Sequence, residues 1–422
     1  MKINDILSHP IKLRNLKLLA LLSCTLGSLF VLYQFLLQGS TSLMIPQLMS
    51  SLCLNLTDIS ILSSLFFYPY IILQIPSGFL IDKYGPRLVL LCSTALLCGA
   101  TLFFSICKCY STANISRFIM GSASAPGVAC AMSLAAKWYP KKFTIVAAII
   151  EMTGMIGGAI GDYLLSYTTL HVGWRLTMFL CGLIGLVLLI LIYFLVSDDV
   201  SCKTNNETNK KHRYPNSNYK EVFASTSIWQ SCFYGGMMFA LISAFASLWS
   251  IPFISSIYPT TTPQLVSSTS ALIFLGAAIG TLISAYISNR SSIKFTKILF
   301  SCSALIIFST ILFIPISYIA MNVLLFILGI SSGSYILSFS SVEKLVPPNI
   351  KGLAMGFTNM VIVAIGGPIL QPIIGIIINK KINHSLISCH LSVNINIYQI
   401  ALLPILIALI LSVLISLTMK KK

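Results

Sequence analysis

The sequence predicts an all-α integral membrane protein, and three observations support this fold class. First, 56% of the 422 residues are apolar and only 9% are charged, whereas a soluble protein has roughly 25% charged residues. Second, apolar runs about as long as the roughly 20 residues of a membrane-spanning helix recur along the whole chain. Third, the basic residues cluster between these runs. So few charges cannot cover an exterior that faces water, which excludes a soluble protein.

Twelve apolar runs are long enough to cross a bilayer, so we predict twelve transmembrane helices. The first run follows a basic N-terminal segment. It is too long for the apolar core of a signal peptide, and we therefore expect it to be a retained helix. The runs lie at 17–38, 58–81, 88–107, 113–135, 144–167, 174–196, 228–250, 264–288, 297–317, 320–342, 353–378 and 398–418.

The distribution of Lys and Arg predicts the orientation of the chain. Of the 27 basic residues, 22 fall on the side of the membrane that holds both termini, four fall on the other side, and Arg117 falls inside a run. Cytoplasmic loops are enriched in basic residues, so both termini are predicted to be cytoplasmic. The formal net charge of +17 is therefore a topology signal, and it does not indicate a nucleic-acid partner.

A polar interval divides the chain into two parts of similar length. It predicts an N-terminal six-helix bundle at 1–196, a cytoplasmic linker at 197–227 and a C-terminal six-helix bundle at 228–422. The linker is rich in Asn, Lys and Ser, as solvated tethers are, and a regulatory or partner-binding role for it stays open. A shift of about 207 residues aligns similar residues of the two parts, which indicates two pseudo-repeats that bury a pathway between them.

The loop between the second and third runs carries the most specific motif. Its residues Gly78, Asp82, Lys83, Gly85 and Arg87 resemble the spaced loop signature of the major facilitator superfamily of secondary transporters. Glycine permits the tight turn that such a loop needs. The resemblance implies that Asp82 takes part in a gating contact that closes the cytoplasmic side. The second repeat has Asn in place of this acid, which predicts a weaker contact or none there.

Three further segments resemble the same superfamily, at Arg117–Gly121, Lys137–Lys142 and Gly173–Arg175. The whole chain fits the layout of six helices, a central loop and six more helices. The resemblance therefore implies the fold of the superfamily and secondary transport without covalent chemistry. It does not specify the solute, because one fold hosts many functions.

Three strongly ionisable residues fall inside the predicted spans, namely Arg117, Glu151 and Asp162. Charged groups inside a membrane are costly, so they usually pair or face a cavity. Arg117 and Asp162 fall at similar depth and could form an ion pair, with binding of an anionic solute by Arg117 as the alternative. Glu151 falls near the midplane without an obvious cation partner, so it is our candidate for the group that exchanges protons. A structural hydrogen bond or a contact with solute also stays open for Glu151.

Polar and aromatic residues of several spans are candidates for lining a solute cavity. Each could instead form a hydrogen bond between helices, and two of the aromatic residues could belong to the belt at the membrane surface. The Gly-Gly-Pro sequence at 366–368 frees backbone carbonyls, which is tolerated where a cavity is lined. The candidates are Tyr33, Gln34, Gln38, Tyr234, Trp249, Asn359 and Gln371.

The fifth run carries glycines three or four residues apart, at Gly154, Gly157, Gly158 and Gly161. Such spacing lets neighbouring helices approach closely. Exporters of the superfamily that the chain resembles often have a Gly-Pro motif in this helix, and the sequence lacks its proline. The missing proline favours import, while close packing without any bias in direction stays open.

Together these features predict a secondary active transporter that imports a small polar or organic solute by alternating access, coupled to protons. The alternatives are a proton-coupled exporter of a siderophore or drug-like compound, a sensor that binds solute without moving it, and an integral-membrane enzyme. We expect no catalytic residues, cofactor or metal site, and a monomer whose partners are solute, protons and lipid. The Lys-, Asn- and Ile-rich composition is typical of an AT-rich genome and suggests a bacterial inner membrane.

Overall fold

The computed structural model describes residues 9–139, 143–197, 223–346, 351–381 and 395–419. Within these residues the chain is helical and contains no β-strand. We call residues 9–197 the N-terminal half and residues 223–419 the C-terminal half. Most of the predicted linker, 198–222, lies outside the described residues.

The N-terminal half contains ten helices, of which several are pieces of one bent span. They are α1 (His9–Gln38), α2 (Ser40–Leu43), α3 (Ile45–Leu52), α4 (Leu56–Ser64), α5 (Phe67–Ile72), α6 (Gln74–Tyr84), α7 (Pro86–Ser105), α8 (Tyr110–Ser124), α9 (Gly127–Trp138) and α10 (Phe143–Leu195) among the described residues.

The C-terminal half contains ten more α-helices in its described part, together with two π-helical segments and one 3₁₀ turn. The helices are α11 (Thr226–Ala240), α12 (Ser250–Ile257), α13 (Pro263–Arg290), α14 (Ile293–Phe313), α15 (Tyr318–Ser332), α16 (Leu337–Glu343), α17 (Lys351–Ala364), α18 (Gln371–Lys381), α19 (Ile395–Ala401) and α20 (Leu403–Thr418).

The described chain has ten helical stretches long and apolar enough to cross a membrane, or eleven when the bent pair that starts at Ile45 and ends at Ile72 is counted as one span. One stretch, Ile149–Leu195, is 47 residues long and contains a break at Gly173, where φ is 81° and ψ is 161°. The all-helical membrane fold is therefore confirmed. The number twelve and the cytoplasmic orientation of the termini stay predictions.

Two glycines make the sharp turns between consecutive spans. Gly85 separates α6 from α7 with φ 83° and ψ 155°, and Gly173 divides α10 with a similar backbone conformation. Both φ values are positive, which residues with a side chain rarely adopt. After Gly85, the fixed φ of Pro86 suits the first position of a helix. The loop motif thus has the tight turn that its glycine predicts.

Two spans of the C-terminal half contain π-helix, in which the backbone N–H bonds five residues back. The segments are Leu241–Trp249 between α11 and α12 and Ile365–Leu370 between α17 and α18. Pro368 lies inside the second segment, and a proline cannot donate a backbone hydrogen bond. The two π-helical segments pack against each other. Such segments are rare and frequently lie at functional sites.

The two halves meet along several helices. α10 packs on α1 within the N-terminal half and on α13 across the interface, while α4 packs on α18 across the interface. The glycine stripe predicted in the fifth run makes these contacts close. A Cβ at Gly157 would fall on the carbonyl of Leu32 in α1, and a Cβ at Gly158 would lie 2.6 Å from the ring of Phe274 in α13.

Candidate functional site

A small cavity lies between the two halves near the middle of the spans. Residues of both halves line it, including Glu151 of α10 and Asn359 of α17. The cavity volume is about 30 Å³, which suffices for about two water molecules. The remaining lining residues are Phe35, Gln38, Phe67, Tyr70, Val128, Phe239, Tyr335, Phe339, Ile362 and Val363.

Glu151 connects the two halves at this cavity. It is partly buried, and its Oε2 accepts a hydrogen bond of 3.4 Å from the hydroxyl of Tyr335 in the 3₁₀ turn of the C-terminal half. The Tyr335 ring packs against Phe239 with 5.0 Å between ring centroids, which fixes the direction of the hydroxyl. No basic side chain contacts the Glu151 carboxylate among the described residues. The structure therefore places the predicted proton-exchanging candidate in the cavity, in contact with the opposite half.

Amide side chains beside the cavity have unused hydrogen-bonding capacity. Gln34 and Gln74 lie beside the Tyr70 hydroxyl, close to Glu151. Both amides approach the Tyr70 hydroxyl, but among the described groups neither polar atom of Gln34 has a hydrogen bond of good geometry, and the Gln74 Nε2 has none either. Buried polar groups are nearly always satisfied, so each exception needs an explanation. Water or solute polar groups in the cavity can satisfy these amides.

Arg117 is fully buried beside the end of α1. Its guanidinium donates to the carbonyls of Leu37 at 3.0 Å and Gln38 at 3.2 Å, and it lies 5.1 Å from the centroid of the Phe66 ring. These carbonyls belong to the last turn of a helix, whose negative dipole end stabilises a cation. The side chain does not line the cavity. Its Nε has no hydrogen-bond partner among the described groups.

Asp162 is also buried, with 2% of its surface exposed. Its Oδ2 accepts a hydrogen bond of 2.8 Å from Ser270 of α13, so it lies at the interface between the halves. The predicted ion pair with Arg117 is not formed in this structure. Both side chains lie near the C-terminal end of α1. Arg117 donates to the carbonyls of the last two residues of this helix, and Asp162 lies beside Gly39, the residue that follows it.

The predicted cavity residues divide into two groups. Gln38 and Asn359 line the cavity, and Gln34 lies next to it. The other four lie away from it: three form hydrogen bonds with other groups, and the Nε1 of Trp249 has no hydrogen-bond partner among the described residues. The Tyr33 hydroxyl donates to the carbonyl of Cys181, Tyr234 bonds the Ser334 hydroxyl and the carbonyl of Lys297, Trp249 is fully buried, and Gln371 donates to the carbonyl of Ser243 and the hydroxyl of Ser247.

The backbone carbonyls of the Gly-Gly-Pro sequence accept hydrogen bonds from side chains of the N-terminal half. Ser64 donates to the carbonyl of Gly367 at 3.1 Å, and the Tyr68 hydroxyl donates to the carbonyl of Pro368 at 3.0 Å. A π-helical turn leaves carbonyls without their usual helical partner. The sequence therefore predicted free carbonyls correctly, but here they join the two halves and do not line the cavity.

Lys297 is a buried charge that the sequence assigned to the cytoplasmic surface. The helix α14 begins at Ile293, four residues before Lys297, so the side chain lies inside the bundle and is fully buried. Its Nζ donates to the Ser341 hydroxyl at 2.8 Å and lies 4.9 Å from the centroid of the Tyr234 ring. The interior of the described bundle thus holds a fourth ionisable group besides Arg117, Glu151 and Asp162.

The residues of the predicted gating loop take varied positions. Gly85 makes the turn described above, and Arg87 donates to the carbonyl of Tyr193 at 3.0 Å within the same half. The Lys83 ammonium lies 5.0 Å from the centroid of the neighbouring Tyr84 ring, and a Cβ at Gly78 would have open space around it. The side chain of Asp82 lies outside what the structure describes, so its gating contact stays a prediction.

The sequence did not single out Tyr70 and Tyr335, which flank Glu151 in the cavity. Each lies in a predicted span and has no charged residue next to it in the sequence. A tyrosine facing a cavity and a tyrosine facing lipid give the same pattern in such a run. One signal was available. Tyr335 directly follows the Ser-Ser-Gly-Ser sequence at 331–334, and residues of these types weaken a regular helix.

The fold and the cavity together define the class of this protein. It is a helical membrane protein in which two sets of spans enclose a central, partly polar cavity. The sequence profile of the Major Facilitator Superfamily matches residues 26–371. The chain therefore belongs to this superfamily of transporters.

Named relatives and solved structures agree with this membership. The chain is 22% identical over 191 residues to a probable sulfoacetate transporter of Cupriavidus necator, with 44% of each chain covered. It is 25% identical over 257 residues to a probable L-galactonate transporter of Escherichia coli, covering 56% of this chain and 54% of that one. The matched segments span about a third to a half of the length of the first curated relatives.

Two solved structures share the fold across nearly the whole chain. A bacterial homologue of the human lysosomal transporter Spinster, in an inward-facing and unoccupied conformation, has a TM-score of 0.73 at 14% identity and covers 95% of this chain and 98% of its own. The nucleoside transporter NupG has a TM-score of 0.71 at 14% identity, with coverages of 94% and 99%. At this identity the likeness shows the fold alone.

Proposed function

We propose that this protein imports a small polar organic solute by alternating access and couples the import to protons through Glu151. The observation that carries the proposal is the position of Glu151 in the cavity between the halves, bonded to Tyr335 of the opposite half. A carboxylate at this point can be exposed to either side of the membrane as the halves move. A proton bound there can therefore cross together with the solute.

The coupling follows from the cost of charge in a dry cavity. An ionised carboxylate without a partner is expensive to enclose, whereas a protonated one is not. Closing the cavity around Glu151 is therefore easier when the carboxyl carries a proton. When solute fills the cavity, only the proton-loaded form closes readily. When water fills the cavity, it can hydrate the ionised carboxylate, so the empty carrier can return without a proton. Solute and proton therefore cross together, which is the definition of symport.

The names of the relatives indicate which solutes to test first. They are described as probable transporters of sulfoacetate, of galactarate and D-glucarate, and of L-galactonate. Small organic acids are therefore included among the solutes to test. Export of a siderophore or drug-like compound in exchange for protons remains the second candidate, because the same carboxylate serves either direction.

The test uses purified protein in liposomes with an imposed pH gradient. We expect the wild-type protein to accumulate solute from the acidic side, and we expect the protonophore-treated vesicles to lose accumulation. Glu151→Gln, which keeps shape and hydrogen bonding but cannot release a proton, is expected to lose gradient-driven accumulation and to retain part of solute exchange. Unchanged accumulation by Glu151→Gln would contradict the proposed coupling site.

A further inference from the structure

The charge of the cavity lining restricts the solute. Among the twelve described residues that line the cavity, Glu151 is the only carboxylate, and Lys, Arg and His do not occur. The other polar atoms belong to the amides of Gln38 and Asn359 and to the hydroxyls of two tyrosines. Four phenylalanine rings form most of the remaining wall.

The buried basic residues of the described chain are committed to other partners. The Arg117 guanidinium donates to two carbonyls at the end of α1 and lies over Phe66. The Lys297 ammonium donates to Ser341 and contacts the sulphur of Met419. Neither side chain lines the cavity. An anionic solute in the cavity would be a buried charge without a counter-ion, which costs several kcal/mol.

A cationic solute is excluded by the coupling itself. If a proton and the solute cross together, Glu151 carries the proton when the cavity is loaded, and the lining then has no charge. A cation would be stabilised only by the ionised carboxylate, so it would compete with the proton for Glu151. Competition of this kind gives exchange in opposite directions and is incompatible with symport.

We propose that the co-transported solute has no net charge and presents an apolar or aromatic face together with a hydrogen-bonding edge. The phenylalanine rings contact the face. The amides of Gln34, Gln38 and Asn359 bond the edge, and the unpaired atoms of Gln34 gain partners when solute enters. This inference rests on the proposed proton symport and adds the class of solute. It also predicts that the organic acids for which the relatives are named are not carried by this protein.

The experiment presents the protein with a mixture of neutral, anionic and cationic solutes. Proteoliposomes with an acidic outside medium are given deproteinised yeast extract supplemented with sulfoacetate, L-galactonate and galactarate, and the vesicle contents are identified by mass spectrometry. We expect only solutes without net charge to accumulate, at least tenfold above Glu151→Gln vesicles. Accumulation of an organic anion would overturn the solute class and leave the proposed function intact. Proton-driven accumulation of a cation would overturn both the solute class and the coupling through Glu151. Accumulation of no solute would contradict the proposed function itself.

The electrical response gives a second test that needs no variant. A proton crossing with a neutral solute carries one positive charge inward, so the accumulation ratio should rise about tenfold for each 59 mV of inside-negative potential. A proton crossing with a monoanion carries no net charge and gives no such response. The potential is set with potassium and valinomycin at constant pH gradient. A response to potential supports the neutral solute, and an accumulation ratio indifferent to potential overturns it.

Discussion

At the scale of single residues, the contact between Glu151 and Tyr335 joins the halves at the cavity. The sequence identified the carboxylate because a charge inside an apolar run is rare. It did not identify the partner, because pairing across 184 positions of sequence depends on how the two halves dock. A single sequence carries no signal for that docking.

Removing the Tyr335 hydroxyl tests whether the opposite half acts on the coupling site. We expect Tyr335→Phe to lower the rate of gradient-driven uptake roughly tenfold, because loss of the donor disfavours the ionised carboxylate and therefore slows release of the proton. A hydrogen bond to a charged group contributes about 1.5–3 kcal/mol. The matched control is Tyr258→Phe, whose hydroxyl bonds the carbonyl of Ile316 away from the cavity. If both variants transport equally well, the Glu151 contact has no role in coupling.

Lys297 shows how the exact start of a helix decides whether a residue is expected at the surface or in the interior. Its position after a predicted loop indicated a surface charge, and the helix α14 begins early enough to bury it. Helix boundaries are the least reliable part of sequence-based prediction. The charge pattern predicts the orientation from many residues together, and that orientation stays a prediction. For one residue at a helix boundary, Lys297, the expected surface position is wrong.

At the scale of helices, the sequence predicted that the glycines of α10 allow close packing of neighbouring helices. The sequence indicated close packing from spacing alone, and the structure adds the partners: α1 for Gly157 and α13 for Gly158. The spacing could not say which helices these would be. Nor could the sequence predict π-helix at Leu241–Trp249, where no proline or glycine interrupts the apolar run.

Gly157→Ala tests this packing. Because the added methyl group would fall on the backbone of Leu32, we expect a loss of about 1–3 kcal/mol in stability. Gly99→Ala is the control, since a Cβ at Gly99 would meet no atom within 4 Å. Thermal unfolding in detergent measures both. A Gly157→Ala protein as stable as the Gly99→Ala protein would show that the helices move apart at little cost.

At the scale of the whole molecule, hydrogen bonds tie the halves together from the middle of the spans to the side predicted to face away from the cytoplasm. Ser64, Thr57 and Tyr68 of the N-terminal half donate to carbonyls of Gly367, Gly375 and Pro368, and Ser270 donates to Asp162. The resemblance to the superfamily predicted two bundles that move against each other. Only the structure shows that these closing contacts lie on that side.

Gln371→Ala is expected to loosen this closed side. The Gln371 amide donates to Ser243 and Ser247, and Ser64 approaches its carbonyl oxygen at 3.4 Å, so its removal weakens contacts of both halves. Hydrogen exchange should rise several-fold in Leu56–Ser64 and in Leu241–Trp249. Gln399→Ala, which removes a bond within the C-terminal half to Leu312, should leave both segments protected. Equal exchange in the two variants would contradict the assignment.

The exposed thiol of Cys109 tests the predicted orientation. The side chain and backbone of Thr112 lower the pKa of Cys109 below that of an ordinary thiol, so a larger thiolate fraction is present at neutral pH, and the thiolate is the reactive form. In right-side-out vesicles we expect a membrane-impermeant maleimide to label Cys109, and Cys109→Ser to lose that label. Labelling of Cys109 only in inverted vesicles would reverse the predicted topology.

The two π-helical segments give these spans an internal means of turning. A π turn holds about one residue more than an α turn, and one residue of α-helix corresponds to a rotation of about 100° and a rise of 1.5 Å. Conversion of Ile365–Leu370 to α-helix would therefore rotate α18 against α17 like a screw, carrying Gln371 and the free carbonyls away from Ser64 and Tyr68. The chain can in this way release one face of the bundle without bending the span as a whole.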